Sequence, residues 1–238
     1  MKNNFLIIFF IFYHVLLLDT VFAKEIEFDA SEIEISNNQN LTTANNGTAK
    51  IKDDEIIIEG VKIEYFKDKA LIIVNEGKIL KIDLNLEIKS EKIEYNIEGG
   101  GINFASKVSI DDKKNNLIIY TDNIYYDINR QKIFGKGKSE IIDEFDNKYE
   151  LSEFEYFTKD KLIKLSNTRV TDKSKNTFDL EIAYLDLNKK ELIAKDIALD
   201  FKISENSENE PRLKGRSLIS DERNTIVKKG TFTFCKKR

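Results

Sequence analysis

Ile63-Glu64-Tyr65 recurs down the chain as Ile93-Glu94-Tyr95, Ile124-Tyr125-Tyr126, Phe154-Glu155-Tyr156 and Ile182-Ala183-Tyr184. The tyrosines follow one another at 30, 31, 30 and 28 residues. A period of this length marks a supersecondary unit that cannot bury its apolar face alone and must stack on its neighbours. Residues two apart lie on one face of a strand. Each unit therefore sets two large apolar side chains on the same side, and the repeat predicts an all-β array of stacked antiparallel strands. Ile63, Tyr65, Ile93, Tyr95, Ile124, Tyr126, Phe154, Tyr156, Ile182 and Tyr184 are the candidate inward ladder. For each of them singly, plain core is the alternative to contact with a ligand.

Working outward, period-two runs fill the chain from Glu25-Ile26-Glu27-Phe28 onward. The breaks between them are polar: Lys67-Asp68-Lys69, Asn75-Glu76-Gly77, Asp111 to Asn116, Asn129-Arg130, Asp143 to Asn147 and Asp172 to Asn176. Asn, Asp and Gly tolerate the left-handed backbone that hairpin turns demand, so these read as turns. Ser36 to Gly47, rich in Asn and Thr, reads as a loop. No segment carries a sustained helical stripe. Ser204 to Glu210 is an acid-rich break that ends at the only proline, Pro211, and a last β-like stretch runs from Arg212 to Phe234.

The front of the chain is a different kind of segment. Lys2 precedes an apolar run from Phe5 to Leu18, and Val21 and Ala23 occupy the positions a signal peptidase reads. The run is shorter than the ~20 residues a spanning helix needs. The expected organisation is a signal peptide over 1–23, a β-repeat domain over 24–203, and a polar break with final strands of the same domain over 204–238. That segment contains one Lys and one Asp, so the formal charge of −4 survives its removal. With no basic excess to displace counterions, nucleic acid is not the expected partner.

Little here points to catalysis. The single histidine is His14, inside the export segment, so the mature chain lacks the commonest general base and metal ligand. Asp53-Asp54, Asp111-Asp112 and Asp143-Glu144 are neighbours in sequence that read as solvated turns. No zinc spacing, calcium loop or phosphate-binding loop is present, and Gly99-Gly100-Gly101 lacks the following helix a phosphate cradle uses. We expect no enzyme, no cofactor and no metal. Cys235 is the single cysteine, and an unpaired cysteine in an exported protein points to a partner outside the chain, with a buried free thiol as the alternative.

An exported, helix-poor, histidine-free chain with this Ile-x-Tyr repeat resembles the OstA-like β-jelly-roll family of bacterial lipopolysaccharide transport. Asp122-Asn123-Ile124-Tyr125-Tyr126-Asp127 looks like that family's repeated strand-and-turn unit. Lys214-Gly215-Arg216-Ser217, Asn224-Thr225 and Gly230-Thr231-Phe232-Thr233-Phe234-Cys235 resemble the end of the periplasmic domain in its outer-membrane-assembly branch, LptD, where a Gly-x-Phe/Tyr-Thr-x-Cys run occurs. Two features depart from that branch. A first cysteine near the mature N-terminus is missing, and the sequence stops three residues after Cys235, before the Trp-containing strand and the transmembrane barrel.

The resemblance implies a V-shaped jelly roll of stacked antiparallel strands with an open apolar groove, located in the periplasm and associated with the outer membrane. It implies lipopolysaccharide as ligand and a periplasmic bridge protein as partner, docked by edge-strand pairing around Glu25–Ile35. For a full-length member it adds the outer-membrane barrel and its plug lipoprotein, and it makes Cys235 a disulfide candidate for cysteines beyond the barrel. An LptA-like bridge component and a ligand-free structural β-repeat of the cell surface are the rival readings. An acyl chain of about a dozen methylenes gains on the order of 10 kcal/mol by leaving water, which a series of similar apolar sites can supply without a deep trap.

Overall fold

The computed structural model describes residues 24–201, 211–221 and 224–233. The expected signal peptide, the break at Ser204 to Glu210 and Cys235 lie outside them. Thirteen long and medium strands follow one another, each antiparallel to the next: β1 (Ile26–Ser36), β2 (Leu41–Ile51), β3 (Ile56–Phe66), β4 (Leu71–Lys81), β5 (Leu86–Asn96), β6 (Gly101–Asp112), β7 (Leu117–Asp127), β8 (Lys132–Ile142), β9 (Lys148–Phe157), β10 (Leu162–Thr171), β11 (Thr177–Asp186), β12 (Glu191–Asp200) and β13 (Arg212–Ser220). Two short pieces, β14 (Thr225–Lys228) and β15 (Thr231–Thr233), both pair with β13. The only helical element among the described residues is a 3₁₀ turn at Lys67–Lys69. The architecture is all-β and antiparallel, as the repeat predicts. Two eleven-residue strands and two four-residue turns make up the thirty-residue period.

A single sheet can bury only one face, and here it does so by folding over on itself. Within β5, Leu86, Ile88 and Ser90 point inward, then Ile93 and Tyr95, with Ile97 just past the strand's end, all of them buried. The spacing is two inside each half of the strand and three across the middle. The same slip separates Thr121 from Ile124 in β7, Leu151 from Phe154 in β9 and Leu180 from Ala183 in β11. It also separates Leu165 from Thr168 and Ala194 from Ile197, and it widens to four between Phe104 and Val108 in β6. A slip of one residue would turn every later side chain to the other face of a straight strand. Because the strand bends at that point, both halves keep their apolar side facing in. The slips align across the sheet into one crease, which divides it into two arms around a shared core.

Backbone geometry shows how the crease is built. Asn46, Glu76, Ser106, Lys107, Asn167 and Asp196 have φ between 48° and 68°, and Gly137 has φ 106°. For residues other than glycine this costs about 1–2 kcal/mol each, offset by burial of large apolar side chains worth about 1.5–3 kcal/mol apiece. The inner corner of the bend is lined by Gly47, Gly60, Gly77 and Ser90 at the N-terminal end, in register across β2 to β5. A Cβ on Gly60 would sit 2.4 Å from Val74 Cγ1, and one on Gly77 would sit 2.5 Å from the Glu59 carbonyl. Further along, the corner of the odd-numbered strands is taken by Thr121, Leu151 and Leu180.

The bend corrects three expectations. Asn75-Glu76-Gly77 is not a turn but the crease of β4, and the turn lies at 82–85. Ser36 to Gly47 is not a loop: the turn closes at Asn40, and Leu41 opens β2, whose Asn46-Gly47 forms the bend. Glu55–Glu59 and Val61–Phe66, which read in the sequence as two separate period-two runs, are joined through Gly60 into one strand, β3 (Ile56–Phe66).

Turns fall into two rows, one at the tip of each arm. The row after β1, β3, β5, β7, β9 and β11 is tied end to end by backbone bonds: Lys67 N to Asn40 O, Ile97 N to Ala70 O, Ile128 N to Gly100 O, Thr158 N to Gln131 O and Leu187 N to Lys161 O, at 2.9–3.0 Å. In the row after β2, β4, β6, β8 and β10, the bond of this kind among the described residues is Ile82 N to Glu55 O, 2.9 Å.

Gly135 is a sharp test of the close approach beneath the bend, since a Cβ there would lie 2.0 Å from Phe154 Cε1. Gly135→Ala is expected to destabilise the fold by about 1–3 kcal/mol, read as a lower midpoint in urea denaturation with the slope unchanged.

Candidate functional site: the mouth of the slot

The arms meet at the crease, so the opposite side, between the two rows of turns, is the mouth of an apolar slot. Seven of the ten ladder residues lie deep in it: Ile63, Ile93, Tyr95, Ile124, Tyr126, Phe154 and Tyr156 are all buried. Tyr65 is half-buried at the N-terminal end, where its ring lies 6.3 Å from that of Phe28. Over this stretch the slot is filled by the protein's own side chains, and the ladder is core.

The fifth unit is the exception. Ile182 and Tyr184 do not point inward; they are 40% and 39% exposed on the outer face, and the inward pair of β11 is Ala183 and Leu185. Both faces of β11 are apolar here, so the Ile-x-Tyr spelling matches the wrong one. On the outside, Tyr184 pairs with Ile193, Ile193 with Ile219 and Ile219 with Ile226. With Leu185 in its proper place, the fourth interval becomes 29 residues rather than 28.

Tyrosine hydroxyls from the first arm reach across the mouth to carboxylates of the second. Tyr95 donates to Asp54 in the turn after β2, and Tyr156 donates to Asp112 at the end of β6. Each carboxylate has a second donor. Lys24 Nζ approaches Asp54 at 2.7 Å, and the Asn115 backbone N–H and side-chain amide reach Asp112 at 3.1 and 2.7 Å. Between these two clasps, the buried Tyr126 hydroxyl makes no hydrogen bond among the described residues. Nearby Asp83 is instead paired with Lys81 at 2.6 Å.

Burial first, then the hydrogen bond and charge of Asp54, raises the Tyr95 pKa far above the usual phenol value. Burial and then the charge of Asp112 do the same for Tyr156. For Tyr126 burial and the charge of Asp83 act upward, and the Thr158 hydroxyl pulls slightly the other way. A neutral phenol is the form that donates, so the shifts and the geometry agree. The tyrosine partners were not apparent from the sequence. A usable signal was present, because Asp54, Asp83, Asp112 and Asp143 recur at 29, 29 and 31 residues, in step with the tyrosines.

At the next register the pattern fails. Asp143 is held within its own arm by Tyr149, 2.8 Å, and by the Asn147 amide, 2.9 Å, and the residue that would face it across the mouth is Leu185. What spans the gap is an ion pair, Lys190 to Glu144 at 2.7 Å, with side chains 51% and 25% exposed. Such pairs contribute about 0–1 kcal/mol. Here the mouth widens into a cavity of about 380 Å³ whose apolar wall includes Tyr149, Val170, Phe178, Leu185, Leu187 and Leu192. Phe178 and Leu192, at 9% and 8%, are more exposed than the core around the clasps. Among the described residues no cluster of His, Cys, Asp and Glu could hold a metal ion.

No protein-family model matches the chain, and no curated protein sequence matches it. Among solved structures it is similar to LptH of Pseudomonas aeruginosa, described as the LptA-homologous periplasmic component of the lipopolysaccharide transport device. The identity is 11%, the match covers 59% of this chain and 80% of that one, and the TM-score is 0.25. A likeness of that size carries no argument about function.

The clasps set an alkaline limit on the fold. The folded-state pKa values of Tyr95 and Tyr156 are raised, so their contribution is complete below the unfolded value of about 10 and is lost as pH rises beyond it. The denaturation midpoint is expected to fall above that pH, with tyrosinate absorbance from the buried rings appearing only on unfolding. At neutral pH, Tyr156→Phe is expected to cost about 1.5–3 kcal/mol, the range for a hydrogen bond to a charged group, measured by urea denaturation.

Proposed function

We propose that this chain is a lipid-carrying module of the bacterial periplasm that takes the acyl part of lipopolysaccharide into its slot and hands it toward an outer-membrane translocon. The observation that carries the proposal is the cavity between the rows of turns, apolar in its wall and polar at its rim. A packed β-array that only spaced other domains would have no need of it. The resemblance of the repeat and of the C-terminal run to the LptD branch supports the same reading and supplies the direction of traffic.

Two features supply partners. Among the described residues, strand β1 is paired on one side only, and it exposes Ile33 and Ile35. An open edge of this kind accepts a strand from another chain, which suits a periplasmic bridge protein feeding the slot. Cys235 would tie the C-terminal end to cysteines of the barrel region in the complete assembly, beside its plug lipoprotein. An LptA-like bridge made of this chain alone uses the same slot and edge.

A ligand-free structural array is the second reading, favoured by the tightly filled interior around the clasps. Neighbouring residues on β12 separate the two. Leu192 faces the cavity and is 8% exposed, whereas Ile193 faces outward and is 40% exposed. If lipid occupies the slot, Leu192→Glu lowers the affinity for purified lipopolysaccharide at least about ten-fold, because a carboxylate must be desolvated against acyl chain. Ile193→Glu leaves it unchanged. Equal effects, or no binding by the folded wild type, would sink the carrier reading.

A further inference from the structure

Three independent gradients run in the same direction along the slot. The first is the mouth. It is clasped at Tyr95–Asp54 and Tyr156–Asp112, and beyond them it is bridged by an exposed ion pair. The second is the inner corner of the bend on the odd-numbered strands, whose residue grows from Gly60 through Ser90 and Thr121 to Leu151 and Leu180. Small residues let the arms close sharply, and larger ones wedge them apart at the hinge. The third is free space between the two rows of turns. The cavity at Asp143, Leu185 and Leu192 measures about 380 Å³, and the one at Asp83, Asp112 and Tyr156 about 160 Å³.

We propose that an acyl chain passes sideways between the slot and its surroundings through the C-terminal stretch of the mouth, and that the tyrosine–carboxylate clasps are latches which part in order from that end. The inference rests on the lipid-carrier reading and adds to it the place and the gating of lateral exchange. The slot around the clasps is occupied by its own side chains, so a ligand can extend there only as the arms separate. Each separation breaks one buried hydrogen bond to a carboxylate. The broken pair is not stranded, because Asp54 keeps Lys24 and Asp112 keeps Asn115. Tyr126 lies between the two latches and has no carboxylate bond of this kind to break, since Asp83 is paired with Lys81.

Two variants act on the device in opposite senses. Tyr95→Phe with Tyr156→Phe removes both latches and keeps both rings. Leu185→Tyr restores the repeat's tyrosine where it is absent and narrows the opening. Uptake is followed by stopped-flow fluorescence with two probes, a sixteen-carbon fatty acid carrying a terminal fluorophore and fluorescently labelled lipopolysaccharide. The fold of each variant is checked by its melting curve.

Relative to wild type, the double variant is expected to load about ten-fold faster, and Leu185→Tyr several-fold slower. An unchanged rate in either folded variant overturns the latch. Fatty acid uptake that follows these changes, without lipopolysaccharide uptake, upholds the opening and overturns the lipopolysaccharide assignment. Binding of both probes at rates indifferent to all three substitutions leaves the carrier standing and removes the gate. No uptake of either probe by any variant removes both.

Discussion

Everything in this molecule depends on the strands bending at the same column, most of them with a change of alternation phase there. A long meander with apolar residues on one face has nowhere to hide that face, and stacking more strands only enlarges it. Bending every strand at its midpoint turns one exposed face into two that face each other. The bend is held by local backbone, through left-handed residues in the even-numbered strands and glycines where the inner corner is tightest. Burial on the two arms then makes the strained backbone worthwhile. Neither half is stable without the other, since the conformational cost falls at the crease and the apolar gain comes from the arms.

The period, the strand type and most of the inward ladder were legible from the chain alone, because a thirty-residue repeat of Ile-x-Tyr has few other physical readings. The crease was not. Asn75-Glu76-Gly77 has the composition of a hairpin turn, and the same left-handed preference serves a bulge as well as a turn. Only the following residues distinguish them. After a hairpin the chain reverses, whereas Ile79 continues the strand on the other arm. The error at Ile182 and Tyr184 has a related origin. When both faces of a strand are apolar, alternation carries no phase, and the eye follows the tyrosine. The position of Ala183, small and unremarkable in sequence, is fixed only by the arm it packs against.

The mouth was hidden for a different reason. Its bonds join residues 41 and 44 positions apart, from strands that are not neighbours in the sheet. Pairing rules for hairpins say nothing about such contacts, which exist only once the arms have closed. They also assign different work to residues that look alike in the repeat. Tyr95 and Tyr156 bind across the gap, Tyr126 fills space between them, and Tyr149 takes up within one arm the carboxylate that a third clasp would need. Loss of the phenol at position 185 is thus matched by a partner already committed elsewhere, and the two changes together leave that end of the slot spanned, among the described residues, by an exposed ion pair in place of a clasp.

The two rows of turns are unequal in a way that bears on how such a body can move. One rim is stitched lengthwise by successive main-chain bonds from Asn40 to Leu187, and among the described residues the other has one such stitch, near Glu55. A tube slit along its side and stiffened on one lip does not gape symmetrically. The stitched lip behaves as a keel, keeping its length and straightness while the opposite lip peels away turn by turn. Any cargo moving along the slot would then travel against a fixed rail, displacing a series of short flaps one at a time, so that the protein need never be open over its whole length at once.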